Sequence, residues 1–186
     1  MAINPKGIIV HSMSEFFTNN DLVWLKEGDR EAKTFRGLPV SEYPERIHAK
    51  EWLDYSGLSV HGYIAPDGTW IDGLAVPERA AHAGKSRFGE WDGLNSHFLG
   101  FELLVDGLND YGKFVNRIDN DFPYSEAQLE TAAAKCREWM DAYGIPPEHI
   151  VAHSEVSGDD VRGAGRGKPD PGKSFDMAAF RDRVQE

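Results

Sequence analysis

The sequence predicts a mixed α/β fold in which helices flank one sheet. Short runs of β-branched and apolar residues alternate along the chain with longer segments of helical periodicity. A hairpin pattern lies near the middle of the chain, and the sequence contains no internal repeat, low-complexity tract or long linker. Because the elements alternate in this way within 186 residues, we expect residues 1–186 to pack as a single domain.

Apolar runs bounded by turn residues predict the strands. In chain order, the predicted strands are Gly7 to His11, Val60 to Ile64, Thr69 to Ile71, His97 to Val105 and His149 to His153. The second and third strands flank Ala65-Pro66-Asp67-Gly68, and the Pro-Asp-Gly turn chemistry predicts a hairpin there. We expect the segment from Ser12 to Gly57 to be irregular apart from one helix.

The clearest helix prediction covers Glu126 to Ala142. Ser125 and Gln128 have the spacing of a capping box before it, and Gly144 stands where a helix would end. Cys136 falls on the apolar stripe of this helix, which predicts a small buried side chain. The other predicted helices are Pro44 to Leu53 and about Asp176 to Val184.

The charge balance and the cysteine count exclude several classes of function. The chain has 20 Lys and Arg against 31 Asp and Glu, a net charge of −11, whereas binding to nucleic acid or to anionic membranes needs clustered basic residues. Its one cysteine cannot form an internal disulfide. No apolar run approaches the ~20 residues that span a bilayer, and the first residues lack a signal-peptide core. We therefore expect a protein that is cytoplasmic as synthesised, without membrane insertion.

Two of the seven histidines, His11 and His153, each end a predicted strand. A side chain held at a strand end suits a metal ligand or a catalytic group, but it equally suits a structural histidine. Asp170 lies between Pro169 and Pro171, which stiffen the chain around its carboxylate. Together these residues would give three ligands and an open position, as in a catalytic zinc site, although Asp170 also fits the start of a turn.

Four sequence blocks occur in an order that resembles a known family. They are Ile8 to Ser12, Arg79 to Gly84 (Arg-Ala-Ala-His-Ala-Gly), Leu99 to Leu103 and His153 to Asp176, the last containing Lys-Pro-Asp-Pro-Gly. In this order they resemble the zinc-dependent N-acetylmuramoyl-L-alanine amidases of type 2, which are related in fold to peptidoglycan recognition proteins and to small phage amidase-lysozymes. The resemblance runs from about Gly7 to Val184 and implies one amidase catalytic domain over residues 1–186.

The resemblance also implies a role for individual positions. It assigns the zinc ligands to His11, His153 and Asp170, stabilisation of the oxyanion to Lys168, proton transfer from the attacking water to Glu102, and contacts in the substrate cleft to His82 and His61. Val60 occupies the place where another branch of the family has a catalytic tyrosine, so the acid/base role rests on Glu102. The loop from Val156 to Gly167 is longer than in compact relatives.

The activity implied is zinc-dependent hydrolysis of the amide bond between N-acetylmuramic acid and L-alanine. The expected partners are therefore peptidoglycan or muropeptides, with no nucleic acid, and we expect a monomer. The chain would act as a phage-type lytic enzyme (endolysin) that reaches the cell wall on lysis, or as an amidase that recycles muropeptides. Two alternatives stay open: a catalytically inactive peptidoglycan-binding module of the same fold, and a metal-free α/β domain with accidental motifs.

Overall fold

The secondary structure is taken from a computed structural model, which describes residues 1–18, 34–35, 38–39 and 46–186. Within these ranges the strands are β1 (Gly7–Thr18), β2 (Thr34–Phe35), β3 (Leu38–Pro39), β4 (Arg46–His48), β5 (Gly62–Ile64), β6 (Trp70–Asp72), β7 (Arg87–Phe88), β8 (Trp91–Asp92), β9 (Phe98–Leu108) and β10 (Ile150–Ala152). The α-helices there are α1 (Ala49–Ser56), α2 (Tyr111–Asn120), α3 (Glu126–Tyr143), α4 (His153–Val156), α5 (Asp159–Arg162) and α6 (Met177–Gln185). Leu94–Ser96 and Pro147–His149 form 3-10 turns.

The main sheet is mixed, as the sequence predicts. Its strands lie in the order β10-β1-β9-β5-β6, and β4 pairs with β1 outside this path. β1 is parallel to both β10 and β9, and β5 is parallel to β9. The β5–β6 hairpin and the β1–β4 pair are antiparallel. The two short pairs, β2 with β3 and β7 with β8, stand outside this sheet.

One face of the main sheet packs against helices. Alternate residues of β9 point to this face, because successive side chains of a strand leave on opposite sides. Leu99, Phe101 and Leu103 of β9 belong to one buried cluster that also contains Cys136 of α3 and Phe180 of α6. Cys136 is fully buried, as predicted.

The opposite face carries two separate apolar clusters with polar residues between them. Phe98 and Ile9 belong to one cluster, and Leu104 and Met13 belong to the other. The intervening positions on the same face of β1 and β9 are His11, Gly100 and Glu102. The polar side chains are thus enclosed by apolar packing along both strands.

The predicted hairpin and the predicted long helix are confirmed. β5 and β6 pair across the turn at 65–68, where Gly68 has a φ of 86°. The capping box of α3 is formed by the Ser125 and Gln128 side chains. Gly144 adopts the left-handed conformation that ends this helix.

The predictions between Ser12 and Gly57 are wrong in part. β1 continues to Thr18, and its polar residues stay buried because they have partners: the Ser14 hydroxyl donates to the Asn109 carbonyl at 3.2 Å. The helix predicted over Pro44 to Leu53 begins only at Ala49, because the fully buried Ile47 lies in β4, paired with β1. Pro44 itself lies outside the described residues.

Other differences concern helices. α2 was not predicted, although Phe114 and Ile118 form its buried face and Asp110 caps its start. The last helix agrees with its prediction from about Asp176 to Val184, since it begins at Met177 with Asp176 as its cap. In the described ranges, no helix combines the length and the apolar character that crossing a lipid bilayer requires.

Candidate functional site

The candidate site lies on the sheet face that carries His11, Gly100 and Glu102, between the two apolar clusters (the polar strip). Adjacent parallel strands bring side chains together there. His11 of β1 and Glu102 of β9 are Cα partners in the parallel pairing. His153 follows β10 directly, and its ring centroid is 4.3 Å from that of His11. Asp170 joins them from the segment between α5 and α6. The fold therefore gathers residues that are far apart in the sequence.

The His11, His153 and Asp170 side chains form a buried group of donor atoms. One candidate ligand atom from each lies within 4.8 Å of the others. Asp170 Oδ2 is 3.4 Å from Nδ1 of His11 and 3.0 Å from Nδ1 of His153. Two imidazole nitrogens and a carboxylate oxygen suit zinc, and three protein ligands leave a position for water or substrate. This buried group could bind a metal ion.

The main chain fixes the position of the Asp170 carboxylate. The Ser154 N–H donates to the Asp170 carbonyl at 2.9 Å, and the Tyr124 hydroxyl donates to the Pro171 carbonyl at 2.6 Å. The Ser12 N–H lies 3.4 Å from Oδ2 of Asp170. Contacts on both sides of the residue therefore hold its side chain against the two histidines.

Burial and neighbouring charges set the protonation of this group. Burial, followed by the charge of His153, lowers the pKa of His11 from 6.5 to about 4, although Asp170 opposes the shift. Burial alone would raise the pKa of Asp170, but His153 and His11 outweigh it and hold that pKa well below its usual range. A neutral His11 and an ionised Asp170 are the forms in which these side chains bind metal.

The carboxyl group of Glu102 lies beside this donor group, and one of its oxygens has no hydrogen-bond partner among the described residues. Glu102 is 8% exposed, and among the described residues its Oε2 has no hydrogen-bond partner. Burial raises the pKa of Glu102 well above 4.5, the charge of Asp170 adds to the shift, and the charge of Lys168 opposes it. A buried carboxyl with a raised pKa and an uncommitted oxygen suits proton transfer.

Lys168 lies at the exposed edge of the site. Its N–H donates to the carbonyl of Ser157 at 2.9 Å, which ties it to the end of α4. Its charge acts on the pKa of both Glu102 and His11. The segment from Val156 to Gly167, expected as a loop, contains α5 and is closed by hydrogen bonds from the Gly165 and Gly167 N–H groups to the Asp159 carboxylate.

His82 contacts His11 of the donor group, and His61 lies next to His82. The ring nitrogens of both residues lie within hydrogen-bond distance of other groups of the protein. Nδ1 of His82 is 2.8 Å from Nε2 of His11, and Nε2 of His82 is 3.1 Å from the Phe98 carbonyl oxygen. Nε2 of His61 is 2.8 Å from the carbonyl oxygen of Glu78, and its Nδ1 accepts the Gly100 N–H at 3.1 Å. Their predicted substrate contacts would require these bonds to be exchanged, and they stay predictions.

Burial lowers the pKa of both histidines. The pKa of His82 lies well below 6.5, because burial comes first and the neighbouring His11 and His61 add to it. Burial likewise lowers the pKa of His61. Both rings are therefore neutral near pH 7.

A protein-family model matches most of this chain. The model of the N-acetylmuramoyl-L-alanine amidase family matches residues 2–173, which include every predicted site residue. The chain belongs to this family. The resemblance drawn from the four sequence blocks is thereby confirmed.

Curated members of the amidase family align with most of this chain. The 1,6-anhydro-N-acetylmuramyl-L-alanine amidase AmpD of Escherichia coli K12 is 28% identical over 129 residues, which are 69% of this chain and 60% of that protein. The chain thus spans about three fifths of the length of the curated relative that it matches.

Solved structures of family members share the fold. A selenomethionine derivative of AmpD superposes with a TM-score of 0.59 at 24% identity, covering 97% of this chain and 85% of that one. AmiD from E. coli, in complex with the substrate anhydro-N-acetylmuramic acid-L-Ala-D-γ-Glu-L-Lys, has a TM-score of 0.55 at 18% identity, covering 98% of this chain and 58% of that one. The predicted amidase-like fold, a mixed sheet with flanking helices, is confirmed.

The family motifs did not reveal every residue around the site. Asn95 accepts hydrogen bonds at its Oδ1 from the N–H groups of His82 and Ala83, at 3.0 and 2.7 Å. The Ser157 hydroxyl lies 3.1 Å from the Ala83 carbonyl oxygen. Both contacts join segments distant in the sequence, and neither residue belongs to a pattern that suggests chemistry by itself.

Proposed function

We propose that the chain is a zinc-dependent hydrolase of the amide bond between N-acetylmuramic acid and L-alanine. One observation carries the proposal: the buried donor group of His11, His153 and Asp170 lies beside Glu102, a carboxyl with one oxygen that has no hydrogen-bond partner among the described residues. Membership of the amidase family supports it. So does the substrate named for AmiD, which contains the same linkage.

The proposed metal ligands are Nδ1 of His11, Nδ1 of His153 and a carboxylate oxygen of Asp170. The donor set fits zinc because it combines two imidazole nitrogens with an ionised carboxylate in a buried place. When bound, zinc would supply Lewis-acid chemistry: it would lower the pKa of water to about 7 and polarise a carbonyl.

Glu102 and Lys168 perform the proposed proton transfer and charge stabilisation. Glu102 takes a proton at Oε2 from the attacking water and later delivers it to the amide nitrogen of the departing L-alanine. A bound cation favours the carboxylate form of Glu102 that the first step needs. The Lys168 ammonium stabilises the negative charge that develops on the carbonyl oxygen, an interaction worth about 3–4 kcal/mol per donor in other hydrolases.

Metal analysis combined with a muropeptide digest tests the proposal. We expect about one zinc per chain and new L-alanine amino termini, and we expect neither from the His153→Ala variant. Bound zinc without new L-alanine termini would overturn the enzyme and favour a peptidoglycan-binding module. Turnover that survives removal of all metal would contradict the zinc chemistry.

The size of the substrate separates the two proposed biological roles. The name of the AmpD relative, a 1,6-anhydro-N-acetylmuramyl-L-alanine amidase, supports soluble anhydromuropeptides. A lytic role instead predicts efficient cleavage of intact sacculi. Measuring kcat/KM on soluble anhydromuropeptide, together with the rate of clearing of intact sacculi, distinguishes the two roles.

We also propose that residues 1–186 act as one domain and as a monomer. The packing supports the single domain, because the apolar clusters lie on the two faces of one sheet. Light scattering during size exclusion tests it: a monomer elutes with a mass near 20.8 kDa, and a dimer would contradict the proposal.

A further inference from the structure

Behind the two imidazoles of the candidate metal group lies a second layer of contacts. Their Nδ1 atoms face Asp170, whereas their Nε2 atoms point the other way. Nε2 of His11 is 2.8 Å from Nδ1 of His82, and Nε2 of His153 is 3.4 Å from the carbonyl oxygen of Ala83. Two consecutive residues of one segment therefore contact both imidazoles.

Carbonyl groups at the ends of these contacts determine which ring nitrogens carry hydrogen. A carbonyl oxygen only accepts, so Nε2 of His82 donates to Phe98, and Nδ1 of a neutral His82 accepts from Nε2 of His11. His11 then has its lone pair on Nδ1. For His153, whose Nδ1 lies 3.0 Å from Oδ2 of Asp170, coordination of a metal at Nδ1 would leave the hydrogen on Nε2, where the Ala83 carbonyl oxygen at 3.4 Å accepts it.

The Asn95 side chain binds the main chain of both residues that make these contacts. Oδ1 of Asn95 accepts the N–H of His82 at 3.0 Å and that of Ala83 at 2.7 Å. Gly100 leaves the space in which the rings of His82 and His11 meet, because a Cβ there would lie 2.6 Å from Nδ1 of His82. Asn95 thus holds the main chain at residues 82–83, and the missing side chain at Gly100 lets the His82 ring contact the His11 ring.

We propose that His82 and Asn95 are positioning residues that direct the Nδ1 lone pairs of His11 and His153 toward the metal. The inference rests on the proposed zinc site. His82 acts on His11 through the ring contact, and Asn95 acts on both ligands through the main chain at 82–83. Such contacts set the tautomer and the orientation of histidine ligands in metal sites.

Zinc affinity, measured by competition with a chromophoric chelator, tests the positioning role. His82→Leu removes the acceptor for the His11 N–H, and we expect zinc to bind about 10–100-fold more weakly. His82→Asn places an amide oxygen near the position of Nδ1 and should restore much of the affinity. Asn95→Leu should weaken zinc binding, and Asn95→Asp, which keeps an acceptor oxygen, should restore it.

A neighbouring variant serves as the matched control. Ser96→Ala alters the next side chain, whose hydroxyl accepts from the exposed Arg79 Nε at 3.1 Å, and it should leave zinc affinity unchanged. Thermal unfolding of each metal-free variant separates loss of positioning from loss of fold, because positioning predicts weaker zinc binding in a chain that still unfolds cooperatively.

Long-range ¹H–¹⁵N spectra of the imidazoles give a readout that needs neither activity nor a variant. We expect hydrogen on Nε2 of His11, His82 and His153 in the zinc-loaded protein. Hydrogen on Nδ1 of His11, or unchanged zinc affinity in folded His82→Leu, would overturn the inference while leaving the proposed function intact. Absence of zinc binding by the natural sequence would overturn both. If His82→Leu does not fold, the tautomers in the natural sequence decide.

Discussion

His11 and Glu102 are register partners on neighbouring parallel strands, so their side chains leave the sheet on the same face. This pairing places the uncommitted Oε2 of Glu102 beside the donor group without making Glu102 one of its three members. Apolar clusters close both ends of the strip, which keeps Glu102 buried and its pKa high. The two proposed roles, metal binding and proton transfer, therefore belong to separate side chains that can be tested separately.

Replacing Glu102 should abolish turnover and leave zinc bound. In Glu102→Ala and Glu102→Gln we expect kcat to fall by about 10²–10⁴-fold, because general acid–base catalysis contributes that much. Zinc content measured by atomic spectrometry should stay near one per chain. Loss of zinc from either variant would show that Glu102 belongs to the ligand set.

Removing a ligand should abolish zinc binding and activity together. His11→Ala, His153→Ala and Asp170→Ala each leave two donors where zinc requires more, so we expect substoichiometric zinc and no release of L-alanine termini. His97→Ala, at a histidine outside this group, should retain both. For the natural sequence, chelation should stop the reaction and added zinc should restore it; turnover that persists in chelator would refute the assignment.

The sequence predicted the three residues of the donor group, but it did not predict the residues that contact them from behind, such as Asn95. His11 and His153 end apolar runs and Asp170 lies between prolines, so local patterns mark these residues even before the family resemblance. The contacts of Asn95 depend on the path of the chain between β8 and β9, which no local pattern encodes. An asparagine in a Gly-Leu-Asn-Ser stretch suggests only a turn.

Strand ends were harder to predict than strand centres for a physical reason. Polarity indicated that β1 would stop near Ser12, but the Ser12 hydroxyl lies within hydrogen-bond distance of the Tyr124 hydroxyl, at 2.8 Å, and Ser14 is likewise satisfied. Buried polar groups with partners are tolerated within a sheet, so polarity alone misplaces the boundary. By contrast, the long amphipathic helix was predicted because its capping box and apolar stripe are both local.

The stability of the metal-free protein should fall as the pH drops below 6.5. The pKa of His11 is about 4 in the folded chain and 6.5 when exposed, so between these values the unfolded chain binds the additional proton. This favours unfolding by up to about 3 kcal/mol at the acid end, measurable by urea titration in the presence of chelator. His11→Gln should give a flatter profile, and an unchanged slope in that variant would contradict the assignment.

Glu102 should oppose the loss of stability that acidification causes through His11. Its pKa is raised on folding, so its contribution to stability is complete below its unfolded pKa and is lost as the pH rises toward the folded value. Glu102→Gln removes that opposing contribution. The same urea titrations should therefore show a steeper loss of stability on acidification for Glu102→Gln than for the natural sequence; a shallower profile would contradict the raised pKa.

Cys136 should be inert in the folded protein. It is fully buried in the cluster between the sheet and α3, and burial raises the pKa of its thiol, so thiolate is scarce at neutral pH. We expect no reaction with an aromatic disulfide reagent under native conditions and one thiol per chain in denaturant. Native labelling faster than global unfolding would show that this part of the core opens locally.

Gly100→Ala should weaken zinc binding although it adds only a methyl group. The new Cβ would lie 2.6 Å from Nδ1 of His82 and 3.2 Å from Nε2 of His11, so the two rings must separate. Chelator competition should report weaker zinc binding, and thermal unfolding a lower midpoint. Gly112→Ala is the matched control, because its Cβ meets nothing closer than 3.4 Å and lies in α2, where alanine is favoured by about 0.5–1 kcal/mol. Equal zinc affinity in both variants would show that the His11–His82 contact does not position the ligand.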